Sequence, residues 1–372
     1  MRLFELKTRI YRFVSFDDFV QYFQLSKDDL LISNKSVFIN YIDNLKLPSD
    51  SIFPSDYEQH KITDLVVDKI LKDINKKHYK RIFAVGEDTV INIGKIAALS
   101  NITHSKDILD SDRDFSKDKT LVLIPTTCGI GNEVTCCASI QIAKSHTKCQ
   151  TCFDSLYGDY AVLIPELLKD LPFDAFISSS MDSLIHAAEI FISPASNSYT
   201  DLYSQNAIET ILTGYIKLIE KGIDYYPNLL EEYQTASNYT GIASAITGNS
   251  TIDALSYMLS GKYNIPNGYA NYTFFIEVFK KYTRENPYGK IKYFNNIVSD
   301  IFNIKNDSNL YDEFQDALME IIEKKPGSGY GMTYSDIEAF SKSIVDRQHN
   351  LLSNSYVPLS YKDILDIYKN IY

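Results

Sequence analysis

In the segment MDSLIHAAE, Asp182, His186 and Glu189 stand four and three residues apart, so on a helix all three share one face. An aspartate and a histidine at that spacing can chelate one divalent ion, with the other ligands supplied from elsewhere. The same spacing also serves a solvated or hydrogen-bonded helix face. Beyond residue 166 the only histidines are His186 and His349, which excludes a His-rich metal site in that half by count.

Other segments carry weaker chemical signals. In FAVGEDTVINIGKIAALS a buried strand ends at Gly86 and a helix begins near Thr89, and helix N-termini with their free N–H groups suit a diphosphate. Glu87 and Asp88 occupy that turn, so the alternative is that Asp88 or Thr89 simply caps the helix. The loop PTTCGIGNEVT, residues 125–135, follows the next strand with two threonines and two glycines, a composition that allows close approach to a ligand and hydroxyl hydrogen bonds. Cys149 and Cys152 form a CxxC pair, with Cys136, Cys137 and His146 nearby. The second pair is adjacent, not CxxC-spaced, so loop cysteines without a role are expected in preference to zinc or redox chemistry. Five cysteines in so long a chain predict reduced thiols and no disulfide framework. The tyrosines of SYMLSGKYNIPNGYANYTFF either line a pocket or pack between helices.

The elements that must position these residues fall into two halves. From residue 17 to about 165, short apolar runs (DLLIS, RIFAVG, TLVLIPTT) alternate with helical patterns such as ITDLVVDKILKDINKKHY, where Ile62, Leu65, Val66, Ile70, Leu71 and Ile74 fall on one face. That order predicts an α/β domain with a parallel sheet, whose ligands lie beyond the carboxyl ends of the strands, after Val85 and Pro125. From residue 166 to 372 long helical patterns predict an all-α domain, packed on the first across a cleft.

Length and charge agree with a folded two-domain protein. The chain has 372 residues, 45% hydrophobic and 23% charged, and a net charge of -11, which argues against a nucleic-acid binder relying on phosphate neutralisation. No apolar run reaches the roughly 20 residues of a membrane span, and the first residues lack the apolar stretch of a signal peptide, so the expected compartment is the cytoplasm, with no membrane partner.

The segments DLLISN, PTTCGIGNEVT, YAVLIPELLKDLP, SSSMDSLIHAAEIFISPASNSYTD, NIPNGYANYTFF and ENPYGKIK, spread almost end to end, resemble the iron-containing alcohol dehydrogenase superfamily. Within it they look most like the 4-hydroxybutyrate dehydrogenases of anaerobic bacteria. The resemblance implies a Rossmann-like nucleotide domain and a helical metal domain, the iron-containing alcohol dehydrogenase / dehydroquinate synthase-like fold, in a homo-oligomer. It implies NAD or NADP on a turn at Gly86, Glu87, Asp88 and Thr89 with Lys95 behind it, and on the loop residues Thr126, Thr127, Gly129 and Gly131. Asn34 falls near the ribose, and its neutrality selects neither cofactor.

The family's metal positions fall on Asp182, His186, Asp253 and Asn267, and a further family histidine on Tyr257. Family resemblance implies Fe²⁺, whereas this oxygen-rich set suits Mg²⁺ or Mn²⁺. The chain departs from the family pattern at Glu87, Asp88, Thr89, Asn92, Ile130, Asn132 and the two replaced histidines. Two readings follow: an NAD(P)-dependent dehydrogenase converting a short ω-hydroxy acid to its aldehyde, or a catalytically degenerate paralogue retained as a binding or scaffold protein.

Overall fold

The computed structural model describes residues 3–58, 62–110, 115–144, 147–248, 251–305 and 307–372. The chain divides into two compact units. One comprises Glu5–Thr127 and Gly131–Leu171; the other comprises Cys128–Ile130 and Pro172–Tyr372 with the N-terminal residues up to Phe4.

In the first unit the elements run β1 (Arg9–Arg12), α1 (Phe16–Phe23), β2 (Asp29–Ser33), α2 (Lys35–Val37), β3 (Asp50–Ile52), α3 (Asp64–Ile74), β4 (Arg81–Gly86), α4 (Asp88–Ala97), β5 (Thr120–Pro125), β6 (Cys137–Ile142), β7 (Thr147–Cys152) and β8 (Tyr160–Leu163). Six of these strands form one sheet in the order β1-β8-β5-β4-β2-β3, all neighbours parallel. Every residue of β2 is buried, and β4 and β5 are buried after their first residues, as central strands covered on both faces must be. The α/β expectation and the positions of these three strands are met.

The apolar face of α3 differs from the predicted set: Ile62 precedes the helix and is only partly buried, and Leu65 and Val67 exchange places. Leu65 is 57% exposed and Val67 is buried, so the core-facing set is Val66, Val67, Ile70, Leu71 and Ile74. At helical spacing Val67, Leu71 and Ile74 continue one stripe, whereas Leu65 lies nearly opposite Val67.

The amino ends of β2 and β4 are clamped. Asp29 pairs with Arg81 in register, and the guanidinium donates from Nε and Nη2 to the two carboxylate oxygens at 2.8 and 2.6 Å. This fork on a buried carboxylate holds Asp29 below its ordinary pKa despite the opposing effect of burial. The carboxyl ends of the same strands are left to the connecting turns.

The second unit is helical: α5 (Phe173–Ile192), α6 (Ser198–Lys221), α7 (Leu230–Thr247), α8 (Thr251–Tyr263), α9 (Asn267–Glu285), α10 (Lys290–Phe302), α11 (Leu310–Met319), α12 (Tyr334–Arg347), α13 (His349–Leu352) and α14 (Tyr361–Asn370). No strand falls in this unit among the described residues, as the helical patterns predict. No described helix is long and apolar enough to cross a membrane.

Helix α5 is buried along nearly its whole length, which explains why its polar residues are functional candidates and not a solvated face. At the C-terminus, Lys281 of α9 donates to Asp363 of α14 at 2.8 Å, and Ser360 donates to the same carboxylate from its hydroxyl and backbone N–H. Burial pushes the Asp363 carboxyl up, but these donors hold it at about 2. A depressed carboxylate stabilises the fold fully above its unfolded pKa of about 3.9 and loses that contribution as pH falls towards the folded value. Asp363→Asn is therefore expected to lower stability by about 1 kcal/mol at pH 7, with the difference in Tm from the parent closing between roughly pH 4 and pH 2.

Candidate active site

Of the predicted nucleotide residues, Gly86, Thr89, Thr126 and Thr127 lie at the carboxyl ends of the adjacent strands β4 and β5, with Asn34 at the end of the neighbouring β2. Chain order moves outward from β2 to β3, then crosses back to place β4 on the other side of β2, so the sheet's order reverses between β2 and β4. Ligands of open parallel sheets bind at such a reversal. Asn34, directly after β2, accepts a hydrogen bond through Oδ1 from the Glu87 N–H at 3.2 Å, and Thr126 N–H donates to Gly86 C=O at 3.1 Å. A Cβ on Gly86 would lie 2.4 Å from Asn34 Oδ1 and 2.7 Å from Val90, so the turn closes only around glycine.

Glu87, not Asp88 or Thr89, is the N-cap of α4, and no side-chain hydrogen bond completes the cap. The helix starts one residue earlier than its sequence suggests, at Asp88, immediately after the strand ends at Gly86. Thr89 lies in the first turn of α4, and Thr126 and Thr127 follow β5. Gly131 has φ 67°, the left-handed conformation that glycine adopts without penalty. Gly129 belongs to the short stretch grouped with the helical unit.

Lys95 does not reach this surface. It is fully buried on α4, and its ammonium donates to Asn132 Oδ1 at 2.6 Å, to Thr135 C=O at 2.9 Å and to Cys137 C=O at 2.8 Å. Burial drags its pKa down to about 7 against the opposing pull of Cys136, Asp88 and Glu133. Asn132 also donates to Asn92 Oδ1 at 3.0 Å, so two departures from the family pattern complete one buried network behind the threonine loop. Lys95→Met should leave these acceptors facing an apolar chain and cost about 2 kcal/mol or more, measured by denaturant unfolding.

In the helical unit Asp182, His186 and Asp253 come together. His186 Nε2 lies 3.6 Å from Asp182 Oδ1 and 3.2 Å from Asp253 Oδ1, and all three residues are 5% exposed. Burial lowers the imidazole's pKa, but Asp253 by charge and hydrogen bond, then Asp182 and Glu189, raise it to about 9. A buried imidazolium thereby balances carboxylates that would otherwise repel one another.

Asn267 is not in this cluster. It is the first residue of α9, and its Oδ1 accepts from Ser260 Oγ at 3.3 Å. The amide in the cluster is that of Asn271, one turn further on, which donates to Asp182 Oδ1 at 2.7 Å and Asp253 Oδ1 at 3.3 Å.

Glu189, the third member of the MDSLIHAAE trio, has a separate role. Both its carboxylate oxygens accept from Ile252 N–H, at 3.2 and 3.1 Å, at the start of α8 and one residue before Asp253. A carboxylate at a helix N-terminus also meets the positive end of the helix dipole. Tyr257 lies on α8 one turn beyond Asp253. Tyr263 and Tyr269 line a cavity of about 450 Å³ with Phe173, Ile177, Pro266 and Tyr330, while Tyr272 is buried packing.

The donor set fits a hard divalent cation. Two carboxylates, one imidazole and one amide converge, and Asn271 Oδ1 is a buried acceptor without a hydrogen bond. Rotating this amide would exchange its donor for that oxygen, turning it towards a cation between Asp182 and Asp253. Among the described residues no three His, Cys, Asp or Glu side chains are already spaced as a metal-holding group. The imidazole and carboxylates are drawn into mutual contact instead.

The cysteines correct the expectation of reduced loop thiols. Cys137 and Cys152 sit opposite each other on β6 and β7 and are joined as a disulfide, while Cys128, Cys136 and Cys149 are thiols outside that bond. The pairing follows from the antiparallel register of the hairpin, which linear spacing does not reveal. His146 lies outside the described residues.

Comparison with known proteins bears directly on this architecture. Residues 176–372 match the model of the Fe-containing alcohol dehydrogenase family, C-terminal, and residues 26–165 match that of iron-containing alcohol dehydrogenase. The chain belongs to the iron-containing alcohol dehydrogenase family. It is 39% identical to 4-hydroxybutyrate dehydrogenase of Clostridium kluyveri over 372 residues, covering all of both chains. It is 25% identical to long-chain-alcohol dehydrogenase 1 of Geobacillus thermodenitrificans, over 84% of this chain and 82% of that one. Among solved structures, sulfoacetaldehyde reductase from Bifidobacterium kashiwanohense in complex with NAD+ superposes with a TM-score of 0.83 at 19% identity, covering 99% of this chain and 98% of that one. A 1,3-propanediol oxidoreductase gives a TM-score of 0.83 at 16% identity over the whole of both chains. These likenesses establish the iron-containing alcohol dehydrogenase fold.

Proposed function

We propose that the chain is an NAD(P)-dependent dehydrogenase that transfers hydride between a short ω-hydroxy acid and a nicotinamide cofactor, with 4-hydroxybutyrate as the first substrate to test. The carrying observation is the 39% identity to the Clostridium kluyveri 4-hydroxybutyrate dehydrogenase over the full length of both chains.

The residues take the following parts. Gly86, Thr89, Thr126, Thr127, Gly129 and Gly131 would contact the dinucleotide at the reversal point of the sheet and on its neighbouring loop. Lys95 acts through the loop it anchors. Asp182, His186, Asp253 and Asn271 would hold a divalent cation. Such an ion supplies Lewis acidity at the substrate oxygen, lowering the alcohol's pKa and polarising the aldehyde. Glu189 fixes the first turn of α8 and so the position of Asp253. No observation on the fold or on either cluster favours the scaffold alternative.

The test is spectrophotometric. Purified full-length protein, supplied in turn with Fe²⁺, Mn²⁺, Mg²⁺ and Zn²⁺, is assayed with 4-hydroxybutyrate and NAD or NADP. Reduced nucleotide should form, with kcat/KM at least ~10-fold above that for 1-butanol, which lacks the carboxylate. Absence of reduced nucleotide with every metal and both cofactors would overturn the assignment.

A further inference from the structure

The β6–β7 hairpin carries chemistry that hydride transfer does not use. Cys137 and Cys149 lie within its strands, Cys152 ends it and Cys136 immediately precedes it. The register places Cys137 opposite Cys152 but Cys149 opposite Ile140, so only one pair is aligned for a cross-strand bond. Cys152 is an exposed residue and Cys137 a half-buried one, so the pair lies at the surface of the unit.

The position of this bond gives it a consequence. Cys137 C=O is one of the acceptors of the buried Lys95 ammonium, and Phe153 N–H donates to Cys136 C=O at 3.1 Å, extending the pairing one step past the disulfide. Through Lys95, the mouth of the hairpin is joined to Asn132, to Thr135 and to α4, whose first turn begins at Asp88, directly after Gly86 and the N-cap Glu87. An opening of the hairpin mouth would therefore pull on the loop of residues 131–137.

We propose that Cys137 and Cys152 form a reversible thiol–disulfide couple, exchanging with low-molecular-weight disulfides and thiols, that sets how firmly Lys95 holds the loop of residues 131–137 against α4. In the oxidising direction the Cys152 thiolate attacks one sulfur of a small disulfide, forming a mixed disulfide and expelling one small thiolate. The Cys137 thiolate then attacks Cys152 Sγ and expels the second. Two protein thiols and one small disulfide become one protein disulfide and two small thiols. Excess small thiol reverses both steps. The couple does not rest on the function proposed above.

The experiment uses the full-length protein equilibrated without oxygen in glutathione disulfide or in excess reduced glutathione. Each sample is alkylated under denaturing conditions and weighed, and native samples are followed by hydrogen exchange. Three alkylated cysteines with a Cys137–Cys152 cross-linked peptide are expected in the first buffer and five alkylated cysteines in the second, interconverting on buffer exchange. Backbone exchange across residues 132–142 should be several-fold faster in the reduced form.

Cys152→Ser should show the fast exchange in both buffers, whereas Cys149→Ser should still switch. Five alkylated cysteines after glutathione disulfide, a cross-link to Cys136 instead of Cys137, or equal exchange in the two forms would each overturn the proposal. The two wild-type forms are compared directly, so a poorly folding variant does not remove the test. Nucleotide binding is not a readout, so a failed dehydrogenase assay leaves these results standing.

Discussion

Asp253→Ala is expected to remove bound divalent metal from the purified protein and to take the dehydrogenase activity with it. Asp253 makes the shorter of the two carboxylate contacts to His186 and also accepts from Asn271, so its loss breaks the cluster at its centre. Outer-shell changes alone commonly cost 10–100-fold in metal affinity, so loss of a direct donor should exceed about 100-fold. Metal content after desalting, measured by elemental analysis, reads this without reference to turnover. Wild-type stoichiometry and affinity in the variant would remove Asp253 from the site. Asn271→Ala should weaken the metal more than Asn267→Ala, because only Asn271 faces the two aspartates.

The second large effect is expected at Gly268. A Cβ there would lie 1.8 Å from the carbonyl oxygen and 2.6 Å from the carbonyl carbon of Ser178, so α9 meets α5 through bare backbone. Neither atom belongs to a side chain that can rotate away, and the helices would have to move apart. Overpacking typically costs 1–3 kcal/mol. A contact against backbone belongs at the upper end, so Gly268→Ala should cost about 3 kcal/mol and lower Tm by roughly 6–12 °C. Metal affinity should fall too, because α5 bears Asp182 and His186 while α9 bears Asn271. Gly329→Ala is the control. Its nearest neighbour would be 3.4 Å away, an ordinary contact, and its expected cost is within about 0.5 kcal/mol. Equal melting temperatures for the two variants would mean that the α5–α9 approach is not constrained at Gly268.

Much of the framework was legible in sequence because burial on both faces leaves an unbroken apolar signature. DLLIS, RIFAVG and TLVLIP each correspond to a central strand, and the turn at Gly86 follows where a buried run meets a helical one. Linear patterns fail where contacts are decided in three dimensions. Leu65 and Val67 are equally apolar, and only the orientation of α3 on the sheet exposes the first. Asn267 and Asn271 differ by one helical turn, and which amide meets the aspartates depends on how far α9 advances past α5 before Gly268 and Ser178 touch. The Cys137–Cys152 pairing depends on hairpin register in the same way. Glu189 was visible as part of a helical trio, but its contact with Ile252 joins two helices far apart in sequence. The buried role of Lys95 was equally hidden, since a lone lysine in a helical pattern ordinarily points to water.

The Asp29–Arg81 clamp lies at one end of β2 and β4, and the Asn34–Gly86 turn at the other. On the function proposed above, rigidity and nucleotide recognition fall at opposite poles of the same two strands. Changes around the clamp can be used to harden this unit against heat without retuning the affinity of the opposite pole, which gives protein engineering two separately adjustable regions.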